Sequence, residues 1–217
     1  MKAILFALLL CFSVPASAMS LTPLGQTLDS STSTGTLRIR NDNKGEKRYQ
    51  IVVDAWTVGA NGEKIQTPTS NLTFYPSSVI TLGPGKIQTL RWKRTGANAS
   101  REQVYLIQVR EIPLDDADSI VSSQGVQLKI SPTMKFPWLF APKGATAQLS
   151  AHQDSQSLVL ENRGSSSARI SKISYAGIPD PGPQLVLPGE RLHVKASTSA
   201  SQVTFDLLGV ALTLPVE

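Results

Sequence analysis

The side chains that most often perform chemistry are scarce in this chain of 217 residues. Its single cysteine is Cys11, and its two histidines, His152 and His193, lie far apart in sequence. A disulfide framework, a Cys/His zinc site and a Cys/His nucleophile pair therefore lack their materials. No serine or acidic motif of the nucleophile-elbow kind stands beside either histidine, which disfavours a sandwich hydrolase. Asp115, Asp116 and Asp118 supply carboxylates. The bidentate glutamate that completes a calcium loop is missing, so an acidic loop is the simpler reading. Neither a nucleotide-binding nor a metal-binding motif is present, and the expectation is a protein without cofactor or enzymatic activity.

Charge points no more strongly to nucleic acid. The formal net charge is +5, with charged residues making up 17% of the chain. Arg38, Arg40, Lys44, Lys47 and Arg48 cluster, as do Arg91, Lys93, Arg94 and Arg101. The first group brackets Asp42 and Glu46 with little aromatic interleaving, so solvated strand faces and turns explain both groups.

The chemistry that remains is adhesive. Between Gly125 and Pro137 the even positions read Val126, Leu128, Ile130, Pro132, Met134 and Phe136, and the odd ones Gln127, Lys129, Ser131, Thr133 and Lys135. An extended chain over 126–136 would run roughly 35 Å, with one greasy face and one polar face. Pro132 cannot donate to a ladder, which argues for an edge or a bulge. Two readings stay open: the stripe packs into its own core, as any sandwich strand does, or it is an edge meant for a partner strand.

The elements around it are short strands. Lys2, the apolar run Ala3 to Phe12 and Pro15-Ala16-Ser17-Ala18 read as a secretory signal over 1–18, too short to span a bilayer. After it, Thr36–Arg40, Ile51–Val53, Leu72–Phe74, Ile87–Trp92, Val104–Val109 and Val126–Ile130 alternate or run apolar between turn sequences such as Asn61-Gly62 and Gly83-Pro84-Gly85. No window holds a helical period. From Gly144 the pattern restarts. Leu158–Gly164 echoes Leu37–Asn43, and Leu185-Val186-Leu187-Pro188-Gly189 echoes Ile80–Gly85. The expected fold is all-β, with two β-sandwich domains in tandem over 19–140 and 144–217.

In this order the segments resemble one family. Leu37-Arg38-Ile39-Arg40-Asn41, Trp56 followed by Asn61-Gly62, and Leu82-Gly83-Pro84-Gly85 with Gln88 and Arg91 come first. Tyr105–Pro113, Pro137-Trp138-Leu139-Phe140-Ala141-Pro142 and Leu185–Gly189 follow. Together they resemble the periplasmic chaperones of the chaperone–usher pathway that assembles fimbriae, closest to its archaic branch.

The resemblance implies that the two all-β domains are immunoglobulin-like β-sandwiches set in an L shape, in a periplasmic protein that binds and stabilises fimbrial subunits and delivers them to the outer-membrane usher, with no nucleic acid, nucleotide or cofactor. Subunits lack a strand, and the chaperone lends one over about 126–136. Val126, Leu128, Ile130, Met134 and Phe136 would fill the subunit's groove. The better-known branch clamps the subunit's C-terminal carboxylate with a first-strand arginine and an edge-strand lysine. Here Leu21–Leu28 holds no basic residue, leaving Lys135, Lys129 and Arg91 as candidate anchors near an interdomain cleft. An interdomain charge network is expected from Glu111 and Asp206, with Lys143 replacing an arginine. Self-association of the free protein through the same edge stays open. The rival is a secreted adhesin or carbohydrate-binding module, which would carry aromatics on exposed loops.

Overall fold

The computed structural model describes residues 19–96, 99–114, 120–121, 127–128, 131–154, 156–196 and 198–217. The expected signal over 1–18, the acidic run at Asp115, Asp116 and Asp118, the expected donors Val126 and Ile130 and the expected anchor Lys129 lie outside these residues.

In the first half the strands are β1 (Met19–Thr22), β2 (Gln26–Asp29), β3 (Thr34–Asn41), β4 (Lys47–Val58), β5 (Lys64–Pro68) and β6 (Leu72–Tyr75). They continue as β7 (Val79–Leu82), β8 (Ile87–Arg94), β9 (Gln103–Ile112), β10 (Ile120–Val121), β11 (Gln127–Leu128) and β12 (Thr133–Ala141). One sheet has the order β1-β3-β8-β6, and the facing sheet β2-β12-β9-β4-β5 with β7 against β4. Alternation assigns the faces. In β3 and β8, Leu37, Ile39, Leu90 and Trp92 point inward, while Arg38, Arg40, Arg91 and Lys93 point out.

Between the sheets lies an aromatic core. Trp138 stacks obliquely on Trp92, Phe74 and Phe136 at 5.6, 5.8 and 6.3 Å between centroids. Such tilted pairs add to the burial of large apolar area. Arg94, expected on a solvated face, is instead buried. Its guanidinium donates to the carbonyls of Thr32 and Ser30 and to Gln103 Oε1, and lies 4.3 Å from the Phe140 ring. A buried cation is tolerable only with its donors satisfied, and these bonds fasten the crossover from β2 to β3.

The second half holds β13 (Leu149–Asp154), β14 (Ser157–Asn162), β15 (Ala168–Ser174), β16 (Gln184–Val186), β17 (Arg191–Lys195), β18 (Gln202–Leu207) and β19 (Val210–Pro215). Its sheets read β13-β14-β17 and β16-β15-β18-β19, enclosing a separate core around Phe205, Tyr175, Leu158 and Ile170. The fold is all-β, two immunoglobulin-like sandwiches in tandem.

The sequence echo has a physical basis in two buried asparagines. Asn41 Nδ2 donates to the carbonyls of Gly45 and Leu82, both at 2.8 Å, and Gly85 N donates to the Asn41 carbonyl. Asn162 Nδ2 likewise donates to Ser166 O at 2.8 Å and Val186 O at 3.0 Å, and Gly189 N donates to the Asn162 carbonyl. Each asparagine ties the end of one strand to the Pro-Gly turn of another, and the bonds to Leu82 O and Val186 O satisfy backbone carbonyls in buried surroundings.

Candidate functional site

The outer face of the second sheet carries the site. On this face the register sets Leu139, Val104 and Trp56 in one row, Pro137, Leu106 and Asp54 in the next, then Lys135, Gln108 and Val52, and last Thr133, Arg110 and Gln50. The first row is sealed: Leu139 and Val104 pack with Leu187, Trp56, Val58 and Leu185, joining the two sandwiches. The higher rows stand clear of that cluster. Asp54, though buried, is held by Gln66 Nε2 at 2.7 Å and by Gln108 Nε2, and Arg110 donates to Gln108 Oε1 at 3.2 Å.

Along this face β12 has an unequal edge. One side pairs with β9 over its length from Thr133 to Phe140. On the other side β2 pairs, in parallel, only with Trp138–Ala141. Among the described residues no strand covers the edge at 133–137. The ladder alternation then fixes which groups are free. Glu111 N donates to Pro132 O, and Ser30 N to Ala141 O on the opposite side. Even-numbered residues thus turn their backbone toward β9, and Thr133 and Lys135 present theirs outward. Pro137, which has no N–H, occupies the last outward position before β2 begins, as proline on an edge should. An uncovered edge of this kind is a template for an added strand.

The expected donor residues divide. Phe136 is only 6% exposed and belongs to its own core, and Met134 packs against the same core. Phe136 is not free to fill a partner's groove and Met134 is partly taken up by its own core, which corrects their assignment as free donors; what the unpaired edge of this stretch offers is backbone. The physical reason is the two-residue period, which puts Met134 and Phe136 on the same inner face as Trp138 and Phe140. The strand also runs on through Pro137 to Ala141. Upstream, Gln127 and Leu128 pair with Val121 and Ile120.

The expected anchors divide too. Lys135 is exposed on the cleft face, opposite Gln108. Arg91 is not near it. It lies on the outer face of the opposite sheet between Thr36 and Tyr75, because its neighbours Leu90 and Trp92 take the inward positions. A cation absent from the sequence reading does border the cleft. Arg169, on β15, lines a cavity of about 420 Å³ together with Pro137, Leu185, Asp206 and Leu208, and donates to Thr27 Oγ1 at 3.4 Å. Nothing in its local motif marks it; only the crossing of the sandwiches does.

The expected charge network is likewise replaced. Glu111 pairs with Lys47 at 2.8 Å, Asp206 with Lys172 at 3.6 Å, and Lys143 is exposed. Glu111 ends β9 at the side away from the second sandwich, so it cannot reach Asp206. Its counterpart at the near end does the work: Glu102 accepts from Ser167 N at 3.2 Å and from Ser167 Oγ, and Glu102 N donates to Ser165 O. Burial pushes the Glu102 carboxyl up, against the lowering effect of the Ser167 hydrogen bonds and Arg169. A second tie is Lys64, which lies 3.2 Å from Glu190, donates to Leu185 O at 2.6 Å and sits over the Trp56 ring. Arg191 N donates to Gly62 O. Gly62 has φ +84°, and a Cβ there would come within 2.7 Å of the Arg191 side chain.

The tryptophans do not form a sugar platform. Trp92 and Trp138 are core residues, and Trp56 packs between the sandwiches. Among the described residues no group of three or more His, Cys, Asp or Glu side chains is placed to hold a metal.

Comparison with known structures agrees with the fold. A chain of the CsuC–CsuE chaperone–tip adhesion subunit complex from the archaic Csu pili of Acinetobacter baumannii superimposes with a TM-score of 0.70 at 16% identity, covering 93% of this chain and 100% of that one. A chain of the Salmonella enterica SafA pilin–SafB chaperone complex gives 0.69 at 16% identity, covering 92% and 96%. The CupB2 chaperone of Pseudomonas aeruginosa gives 0.61 at 16%, covering 91% and 100%. No curated protein sequence matches significantly. Residues 19–146 match the family model described as pili and flagellar-assembly chaperone, PapD N-terminal domain. The chain belongs to that family of assembly chaperones.

Proposed function

We propose that this chain is a periplasmic chaperone that holds a fimbrial subunit by pairing the free edge of β12 with a subunit strand, and passes the subunit to the outer-membrane usher. The observation that carries this reading is the edge at 133–137, left open while β2 closes the same edge from Trp138 onward. Residues 19–140 act as the subunit-binding domain and 144–217 as the smaller second domain. The greasy stripe has two uses. Met134 and Phe136 fill the chaperone's own core, and Val126, Leu128 and Ile130 fill the subunit's groove. Burying three such side chains contributes on the order of 5–9 kcal/mol before the cost of association, enough to hold a subunit and small enough to release it without an energy source. Lys135 and Arg169, facing the cleft from opposite sandwiches, receive the carboxylate at the end of the subunit strand.

Proline at position 135 removes an outward N–H while leaving the core face intact. Lys135→Pro is expected to keep the folded thermal transition and to lose a co-expressed fimbrial subunit, which then aggregates or is degraded. Full retention of the subunit by a folded Lys135→Pro chain would rule the reading out.

A further inference from the structure

The turn between β18 and β19 is hard to explain by the fold. Leu207 pairs with Val210, so Leu208 and Gly209 form a two-residue hairpin loop with φ +53° and +90°. Positive φ at both positions is the geometry that Asn-Gly or Gly-Gly accommodates, and a branched apolar side chain in the left-handed region is uncommon. Leu208 also gains nothing from burial: it is 76% exposed, the most exposed large apolar residue among those described. The turn is nevertheless well fastened, since Gly209 N donates to Asp206 Oδ1 at 2.6 Å. An apolar knob is therefore held out rigidly, in a conformation its residue type disfavours, and outliers of this kind cluster at functional sites.

Its position is informative. Leu208 lines the cavity that also contains Pro137 and Arg169. Pro137 is where the free edge of β12 stops, because β2 takes over at Trp138 and even a Cβ added at Gly25 would lie only 3.5 Å from Pro137 O. A strand added along Thr133–Pro137 is blocked there and must end or turn into this cavity. We propose that Leu208, with Leu185 beside it, clamps an apolar side chain at the end of the subunit strand seated on β12, so that the second sandwich takes part in reading the subunit. This rests on the strand-pairing reading above and is continuous with that edge.

Leu208→Asn tests it, because asparagine suits the left-handed position and leaves the hairpin intact. The probe is a co-expressed fimbrial subunit retained by the wild-type chain, purified as a binary complex and followed by its dissociation rate. Leu208→Asn is expected to hold or raise the melting temperature of the free chain and to speed dissociation roughly 10-fold, the scale of losing one apolar contact in a pocket. Lys135→Pro serves as the reference. If it abolishes capture while Leu208→Asn dissociates at the wild-type rate, the clamp is wrong and strand pairing stands. If Lys135→Pro captures normally, strand pairing falls and the clamp falls with it.

Discussion

Replacing Asn41 by alanine should cost the first sandwich a large part of its stability. Two of its partners are buried, the Leu82 carbonyl at 2.8 Å and the Tyr49 hydroxyl, which donates to Asn41 Oδ1 at 3.1 Å. Without the amide the Leu82 carbonyl loses this buried donor and the Tyr49 O–H its acceptor, leaving the hydroxyl only a long contact from Asn43 Nδ2 at 3.5 Å, at about 1–3 kcal/mol apiece. The part-buried bonds to Gly45 O and from Asn43 N are better able to find water, and add roughly 0.5–1 kcal/mol each. The expected loss is about 4 kcal/mol, a sizeable share of the 5–15 kcal/mol typical of a folded domain. The assay is built into the sequence. Trp56, Trp92 and Trp138 are the only tryptophans, and all three lie in the first sandwich or its contact with the second, so their fluorescence in a urea titration follows that unit. Asn162→Ala, with its own buried bond to Val186 O, should destabilise the second sandwich while shifting the tryptophan transition much less. A loss below about 1 kcal/mol for Asn41→Ala would refute the claim that the asparagine closes otherwise unpaired backbone.

Three shorter expectations follow. The Glu102 carboxyl is raised in the folded protein, first by burial, so its favourable contribution is complete below the ordinary glutamate pKa and is lost as pH rises through the folded value. Glu102→Gln, which keeps an acceptor for Ser167, should lack this dependence; a stability difference between the two chains that stays flat from pH 4 to 8 would contradict the assignment. Gly62→Ala combines positive φ with a clash against Arg191 and should cost about 1–2 kcal/mol, seen as a lower urea midpoint for the contact between sandwiches. Lys135→Ala and Arg169→Ala should each weaken subunit capture and Arg91→Ala should leave it unchanged, as read by pull-down with a co-expressed subunit; equal losses for all three would contradict the placement of Arg91 on the far sheet.

Strand positions were legible because each buried face leaves a two-residue period: Leu37 and Ile39, or Leu90 and Trp92, announce their own inward direction. The asparagine echo was visible as a repeat, although its role was not, since a buried amide and a turn amide look alike in sequence. The site was less legible for a geometric reason. Alternation separates two faces but does not say which sheet a strand joins, so Arg91 and Lys135 looked equivalent and lie on opposite sides of the sandwich. Nor does it say which end of a strand meets the second sandwich, so Glu111 stood in for Glu102 at the opposite end of β9. Arg169 and Leu208 become a site only when two sandwiches meet, and no local pattern carries that information.

The central claim, that β12 lends its free edge, is tested most directly by amide hydrogen exchange at Thr133 and Lys135 in the free chain and in its complex with a fimbrial subunit. Both amides face outward on an edge without a described partner, so exchange should be fast in the free chain and strongly slowed in the complex. The amides of Met134 and Phe136, already paired with β9, should change much less. Unchanged exchange at Thr133 and Lys135 in a stoichiometric complex would contradict strand pairing at this edge.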